Sequence, residues 1–298
     1  MAVAISTANA QLEPRLPRDL ERDIFEITAL GWPSAIPRLI LVAQRVQAWI
    51  EPFRYNVVLL TTMRRRRGFR ILPIDSLLRT ISTKPLITSS IKHLYVECAT
   101  ATELDALLAA CPRVSTLVVD MVVPTLHIKS LASLQCLRHL TLDMKELCKI
   151  PVNDIADSVF GNATHLTLTG WFLVSDEPGI CERLAHIPHL THISLTSTRP
   201  STVFETALSA VTRLQAIVFF PQYQQDVTTI TPAVDDSRFV WVKMETMRDA
   251  GLDWLRRVGS VHEYWVVAEA FIAAKRADKV PPTRFYILET DTAHSWRI

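Results

Sequence analysis

One short pattern returns six times between Ile91 and Phe220, and it constrains this chain more than any other feature. It reads apolar-x-x-apolar-x-apolar: Ile91, Leu94, Val96; Val114, Leu117, Val119; Leu137, Leu140, Leu142; Ala163, Leu166, Leu168; Leu190, Ile193, Leu195; Leu214, Ile217, Phe219. The middle residues, 94, 117, 140, 166, 193 and 217, are separated by 23, 23, 26, 27 and 24 positions. A unit of that length holds one strand and one return, and it cannot bury its apolar side alone. Stacked units can, which predicts a parallel sheet with the six middle residues in line.

An L-x-x-L-x-L core at a period of about 20–29 residues is the signature of a leucine-rich repeat. The expected fold class is α/β: an irregular leucine-rich-repeat solenoid, with a parallel sheet and outer helices, behind a small N-terminal helical module. Helical returns are expected where Thr102 precedes Leu104, Leu107, Leu108 and Cys111, around Ile155 and Val159 before Gly161, over Ile180, Leu184 and Ile187, and after a capping box Thr202-x-x-Glu205. Ahead of them, Tyr55, Val57 and Leu59 read as a strand, and Pro73 opens a helix with Ile74, Leu77, Leu78 and Ile81 on one face. The Asn or Cys that usually follows each strand is missing; Ala99, Val122, Lys145, Trp171, Thr198 and Gln222 stand there. Such a ladder satisfies buried turn backbone, so its absence predicts irregular turns. Val240 falls 23 residues after Ile217 and suggests a seventh strand over Arg238 to Val242. A capping box Ser260-x-x-Glu263 then opens a helix with Tyr264, Trp265, Ala268, Phe271 and Ile272 on one face, and Phe285 to Leu288 reads as a last strand. This C-terminal block is expected to cover the end of the stack.

Composition excludes several function classes. Apolar residues make up 49% and charged residues 21%, so a packed core is feasible. A formal charge of +2 announces no nucleic-acid partner, and no apolar run approaches the about 18 residues of a membrane span. With only 7 glycines and no G-x-G, phosphate-cradling loops are not expected. The N-terminus lacks a basic start and a long apolar run, so no signal peptide is expected. Five cysteines without a C-x-x-C predict reduced, mostly buried thiols in the cytosol or nucleus, and Asn162-Ala163-Thr164 is then an idle glycosylation acceptor. Arg64-Arg65-Arg66-Arg67-Gly68 is either an import signal or anion patch, or a solvated loop. No G-x-S-x-G, H-E-x-x-H or EF-hand loop occurs, so no catalytic residue, metal or cofactor is expected.

Residues 1–15 carry no periodicity and read as a loose tail. Leu20, Ile24 and Ile27 follow Pro17 at helical spacing, Gly31 and Pro33 break the run, and Ile36, Leu39, Val42, Ala43, Val46, Trp49 and Ile50 read as a second helix ended by Pro52. Leu16-Pro17, Ile24-Phe25, Val42 to Val46 and Trp49 together resemble an F-box-like motif. With Ile50-Glu51-Pro52 and Trp265 to Arg276, the chain resembles fungal F-box-like proteins that carry repeats behind the motif. The hinge Gly31 to Ser34 lacks the family's acidic residue, and Gln44 stands where the family has cysteine. The resemblance implies a non-catalytic, SCF-type ubiquitin-ligase subunit. Leu16, Pro17, Leu20, Ile24, Phe25, Leu39, Val42, Val46 and Trp49 would bind a Skp-type adaptor of a cullin complex. The alternative is a repeat scaffold whose helices only cap the solenoid. The expected organisation is tail 1–15, helical module 16–52, solenoid 53–245 and C-terminal cap 246–298.

The repeat register also assigns the concave surface, where a protein substrate would bind. Just before each middle residue stand His93, Thr116, His139, His165, His192 and Ala216. Parallel strands lie about 4.8 Å apart, so His139, His165 and His192 would form a ladder. Three stacked imidazoles have the chemistry for a transition metal or a pH switch, but a flat ladder presents them in parallel, and no carboxylate is placed to orient them. Tyr95 opens the next column; beyond it Glu97, Asp120 and Asp143 add an acidic end to this surface, and Phe220 an apolar one.

Overall fold

The structure, a computed structural model, describes residues 16–61, 70–97, 99–120, 134–155, 159–170, 174–197, 201–221, 228, 232–243, 264–288, 290–292 and 295–296. The expected tail 1–15, the arginine run 64–67, Cys98 and the expected capping box at 260–263 lie outside the described residues. The chain divides into two compact units, residues 1–56 and 57–298.

The first unit is helical. Helix α1 (Arg18–Gly31) starts directly after Pro17, α2 (Ile36–Leu39) is a single turn, and α3 (Gln44–Ile50) leads into a 3-10 turn, Glu51–Tyr55. The expected single helix from Ile36 to Ile50 is therefore two. The break falls at Ala43, whose extended backbone (φ −160°, ψ 154°) caps α3, and Gln47 N donates to Ala43 O. Ala29, Ile36, Val46 and Ile50 form the core, with Phe25, Leu39, Ile40, Ala43, Trp49 and Phe53 packed against it. Two hydrogen bonds from Arg45 to Glu21, 3.0 and 2.8 Å long, tie α3 to α1.

The second unit is α/β and, among the described residues, is built on an open, all-parallel sheet of ten strands. These are β1 (Val57–Leu60), β2 (Arg70–Ile71), β3 (His93–Glu97), β4 (Thr116–Asp120), β5 (His139–Asp143), β6 (His165–Thr169), β7 (His192–Ser197), β8 (Ala216–Pro221), β9 (Phe239–Val242) and β10 (Tyr286–Ile287). Their order is β10-β9-β8-β7-β6-β5-β4-β3-β1-β2. Leu94, Leu117, Leu140, Leu166, Ile193 and Ile217 stand side by side across β3 to β8, as the repeat predicts. Each is at most 1% exposed, and burial of such a side chain contributes roughly 1.5–3 kcal/mol. The next strand is a correction by one residue. Phe239, not Val240, pairs with Ile217, so Phe239 and Trp241 join Phe219 in an aromatic stack.

Between the strands run α4 (Ile74–Thr83), α5 (Ala101–Ala110), α6 (Met144–Lys149), α7 (Glu177–Ala185) and α8 (Thr202–Ala210). Helix α4 contacts α5, and α7 contacts both α6 and α8, so the returns line up beside one another. Side chains alternate across a strand, and the six middle residues face these returns. We call that face the return side and the opposite face the ladder side. Two caps differ from expectation. The capping box of α5 is Thr100 with Glu103, and α8 is capped by Ser201, whose hydroxyl accepts from Phe204 N. Helix α6 was not expected. It follows β5 without a turn because the Asp143 carboxylate accepts from Lys145 N at 2.8 Å. Helix was expected near Ile155 and Val159; 3-10 turns occupy 152–154 and 159–162 instead.

Arginines take the place of the missing asparagine ladder. Arg183 donates to Ile150 O after α6, Arg213 to Leu184 O and Ala185 O at the end of α7, and Arg238 to Ser209 O, Val211 O and Leu214 O after α8. Each reaches back to carbonyls at or just after the end of the preceding helix. Buried acids tie the returns together as well: Glu177 accepts from Ser201, and Glu205 from Ala233 N.

The C-terminal block is the largest departure from the sequence reading. Its strand β10 does lie at the end of the sheet, beside β9. Its helix α9 (Tyr264–Arg276) instead lies on the ladder side. There Trp265, Ala268, Phe271 and Ile272 share a core with Ala216, Val218, Phe220, Val240 and Val242. Tyr264 packs toward Leu59, Tyr95 and Val118.

Candidate functional sites: a histidine ladder and an exposed apolar helix face

The ladder side carries the histidine column that the register assigns. His139 stacks on His165 at 4.2 Å between ring centroids, tilted by 40°, and His165 on His192 at 4.1 Å, within 7° of parallel. Threonines hold the last two rings from behind. Thr164 Oγ1 is 2.8 Å from His165 Nδ1, and Thr191 Oγ1 is 2.8 Å from His192 Nδ1. Trp265 of α9 stands edge-on to both rings, at 5.2 and 5.5 Å. Residues four apart share a helix face, and one turn beyond Trp265 is Glu269. Its Oε1 lies 2.9 Å from His192 Nε2, without the alignment of a hydrogen bond. The carboxylate that the sequence reading found missing is therefore supplied by α9.

Burial, reinforced by neighbouring charges, holds His93, His139 and His165 neutral. His165 is pushed down to about 2 by burial and then by His139 and His192. His139 falls to about 4 through burial and then His192. His93 falls to about 4 through burial and then His139 and Lys92. Its Nδ1 is buried without a hydrogen-bond partner among the described residues, for Lys92 precedes it where threonine precedes His165 and His192.

The expected concave binding surface is only partly open. Tyr95, Glu97, His192 and Phe220 are buried, and a buried side chain offers no surface to a partner. Glu97 accepts a hydrogen bond from Thr61, and Phe220 packs edge-on against Tyr264. His93, His139, His165 and Asp143 are half-buried, and the Asp120 side chain lies outside the described residues. In the middle column the Tyr264 hydroxyl binds Thr167 Oγ1 at 2.9 Å and Ser194 Oγ at 3.2 Å. Sequence reasoning missed Thr164, Thr191, Tyr264, Trp265 and Glu269 as parts of this site. A Thr-His pair repeated in register at 164–165 and 191–192 was the available signal.

The second site belongs to the helical unit. At 100° per residue, Leu20, Ile24 and Ile27 fall on one face of α1, opposite Phe25 and Ala29, which face the core. The outward residues are 53%, 51% and 66% exposed, and Leu16, Leu30, Trp32, Leu41 and Val42 are exposed as well. Of the nine expected adaptor contacts, Leu16, Pro17, Leu20, Ile24 and Val42 are at the surface. Phe25, Leu39 and Trp49 are half-buried against the core, and Val46 is fully buried within it, so it is removed as a direct contact.

Cys111, Cys136, Cys148 and Cys181 are unbridged; Cys111 is buried as expected, whereas Cys136 is exposed. Among the described residues no helix is long and apolar enough to cross a membrane. No family model, curated protein or solved structure matches the chain.

Proposed function

We propose that this chain is a non-catalytic recognition subunit of a cullin–RING ubiquitin ligase. Its helical unit is an F-box-like module that docks a Skp-type adaptor, and its sheet unit is an irregular leucine-rich-repeat solenoid that holds a protein substrate. One observation carries the reading: α1 fills a core with one face and leaves Leu20, Ile24 and Ile27 exposed on the other. A contiguous exposed apolar face on a unit that already has its own core supports a partner surface. The contact set reduces to Leu16, Pro17, Leu20, Ile24 and Val42, with Phe25, Leu39, Val46 and Trp49 as the scaffold beneath. The substrate surface is also smaller than the sequence implies, since α9 lies over Ala216, Val218 and Phe220.

The test is co-elution of the purified chain with a purified Skp-type adaptor on size exclusion. Wild type is expected to co-elute, and the double variant Leu20→Ser, Ile24→Ser to lose the adaptor while keeping its circular dichroism. Retained binding in that variant would remove the assigned contact. A second reading, a repeat scaffold without ligase function, draws on the inward turn of Phe25, Leu39, Val46 and Trp49, which the module needs simply to fold. An intact chain that ignores the adaptor favours it.

A further inference from the structure

We propose that His165, His192 and Glu269 form a binding site for one divalent transition-metal ion, which fastens α9 to the sheet. The three residues offer ligand atoms that all lie within 4.8 Å of one another. They come from β6, β7 and α9, so an ion shared among them would join the helix to two strands.

The hydrogen bonds behind the rings supply the argument. Thr191 Oγ1 lies 3.1 Å from Thr164 O and 2.8 Å from His192 Nδ1. Thr164 Oγ1 lies 3.3 Å from Arg138 O and 2.8 Å from His165 Nδ1. A hydroxyl has one proton, and a carbonyl can only accept. We assign each hydroxyl proton to the carbonyl, so that the hydroxyl accepts from Nδ1–H; this tautomer leaves an unprotonated Nε2 at the free edge. Two bare imidazole nitrogens and a carboxylate then meet with no donor among them, and that arrangement calls for a cation. His192 Nε2 and Glu269 Oε1, 2.9 Å apart without hydrogen-bond alignment, need only separate to about 3.3 Å to become two ligands of one tetrahedral ion.

Two imidazoles and one carboxylate suit zinc and its neighbours, and the threonine hydroxyls are the outer partners that fix ring orientation. Near-parallel rings with centroids 4.1 Å apart must tilt together at their Nε2 edges, because two nitrogens on a tetrahedral zinc lie about 3.3 Å apart. The Glu269 side chain is 53% exposed, which leaves a solvent path for the ion and room for water as a further ligand. The alternative occupant is a proton shared by His192 and Glu269.

The experiment titrates the chelator-stripped full chain with Co2+ and then with Zn2+. One equivalent of Co2+ is expected to give visible ligand-field bands that Zn2+ abolishes. Glu269→Gln keeps the side-chain volume at an accessible position and removes a metal ligand; together with His192→Ala it is expected to weaken binding by about tenfold or more. His139→Ala, outside the ligand set, is expected to bind as wild type does. Hydrogen exchange of residues 264–276 should slow on adding Zn2+ to wild type and not to Glu269→Gln. Absence of saturable binding by either ion, or binding undiminished in Glu269→Gln, overturns the site and leaves the shared proton.

Discussion

His192 Nε2 stands 2.9 Å from Glu269 Oε1, and Trp265, one turn earlier on α9, lies edge-on to the same imidazole at 5.5 Å. The two contacts differ in weight. Glu269 is half exposed, and an exposed pair contributes about 0–1 kcal/mol. Trp265 is 3% exposed, and truncation of a buried tryptophan costs about 3–5 kcal/mol. Trp265→Ala is therefore expected to lower stability by that amount and to open α9 to limited proteolysis, while Glu269→Ala changes stability by less than about 1 kcal/mol. Urea unfolding of both variants checks the contrast. A stable Trp265→Ala chain with a protected helix would mean that α9 is held by other contacts.

Arg238 binds three backbone carbonyls, Ser209 O at 2.6 Å, Val211 O at 2.9 Å and Leu214 O at 3.0 Å, and is itself held by Asp236. Removing the guanidinium takes a donor from each of these partly buried acceptors, and Val211 O keeps only its bond from Leu214 N. Arg238→Met, which keeps much of the packing, is expected to cost about 2–4 kcal/mol. Arg238→Lys should recover less than half of that, because one ammonium cannot span the three carbonyls. The urea midpoints of the two variants decide it.

The inward residues of β3 to β8 were legible because a regular period leaves only one register that buries all of them. The histidine column followed from that register with no further assumption. At β9 the reading slipped by one residue, since Phe239-Val240-Trp241-Val242 is apolar at every position and carries no alternation. The position of α9 is a contact between segments far apart in sequence, which periodicity cannot encode. Its trace was nevertheless present. From β8 onward the ladder side changes from Thr167 and Ser194 to Val218, Phe220 and Val240, residues that require a cover. In the helical unit, helical spacing alone could not separate Ile24, which faces outward, from Phe25, which faces the core, because both of α1's faces are apolar.

His93 gives the chain a specific acid sensitivity. Burial, with His139 and Lys92 nearby, holds its folded pKa at about 4, against an ordinary value of 6.5. Above pH 6.5 the ring is neutral in both states and has no effect on the pH dependence. Between 6.5 and 4 only the unfolded chain takes up the proton, so stability falls as pH falls, by up to roughly 3 kcal/mol for this group. Below 4 both states are protonated and the loss levels off. His93→Thr copies the residue that β4 places beside it, Thr116, and is expected to make this limb shallower by His93's share, His139 and His165 supplying the rest. Unfolding free energies at pH 7 and pH 4.5 measure the change, and an unaltered slope would assign the acid limb to other groups.

Gly170 and Asp143 form a pair whose separate roles can be resolved. Gly170 has φ +91°, where a side chain is strained, and a Cβ there would lie 2.5 Å from Asp143 Oδ2. That same carboxylate caps α6 through Lys145 N. Gly170→Ala is expected to cost about 2–4 kcal/mol: roughly 1–2 from the left-handed backbone and the remainder from displacing the cap. Asp143→Ala alone should cost about 1 kcal/mol, the lost cap. In the double variant the clash is absent and the cap is lost only once, so the sum of the single effects should exceed the measured loss by about 0.5–2 kcal/mol. Strict additivity in a denaturation cycle would mean that the carboxylate moves aside freely, and that only the backbone angle requires glycine at this turn.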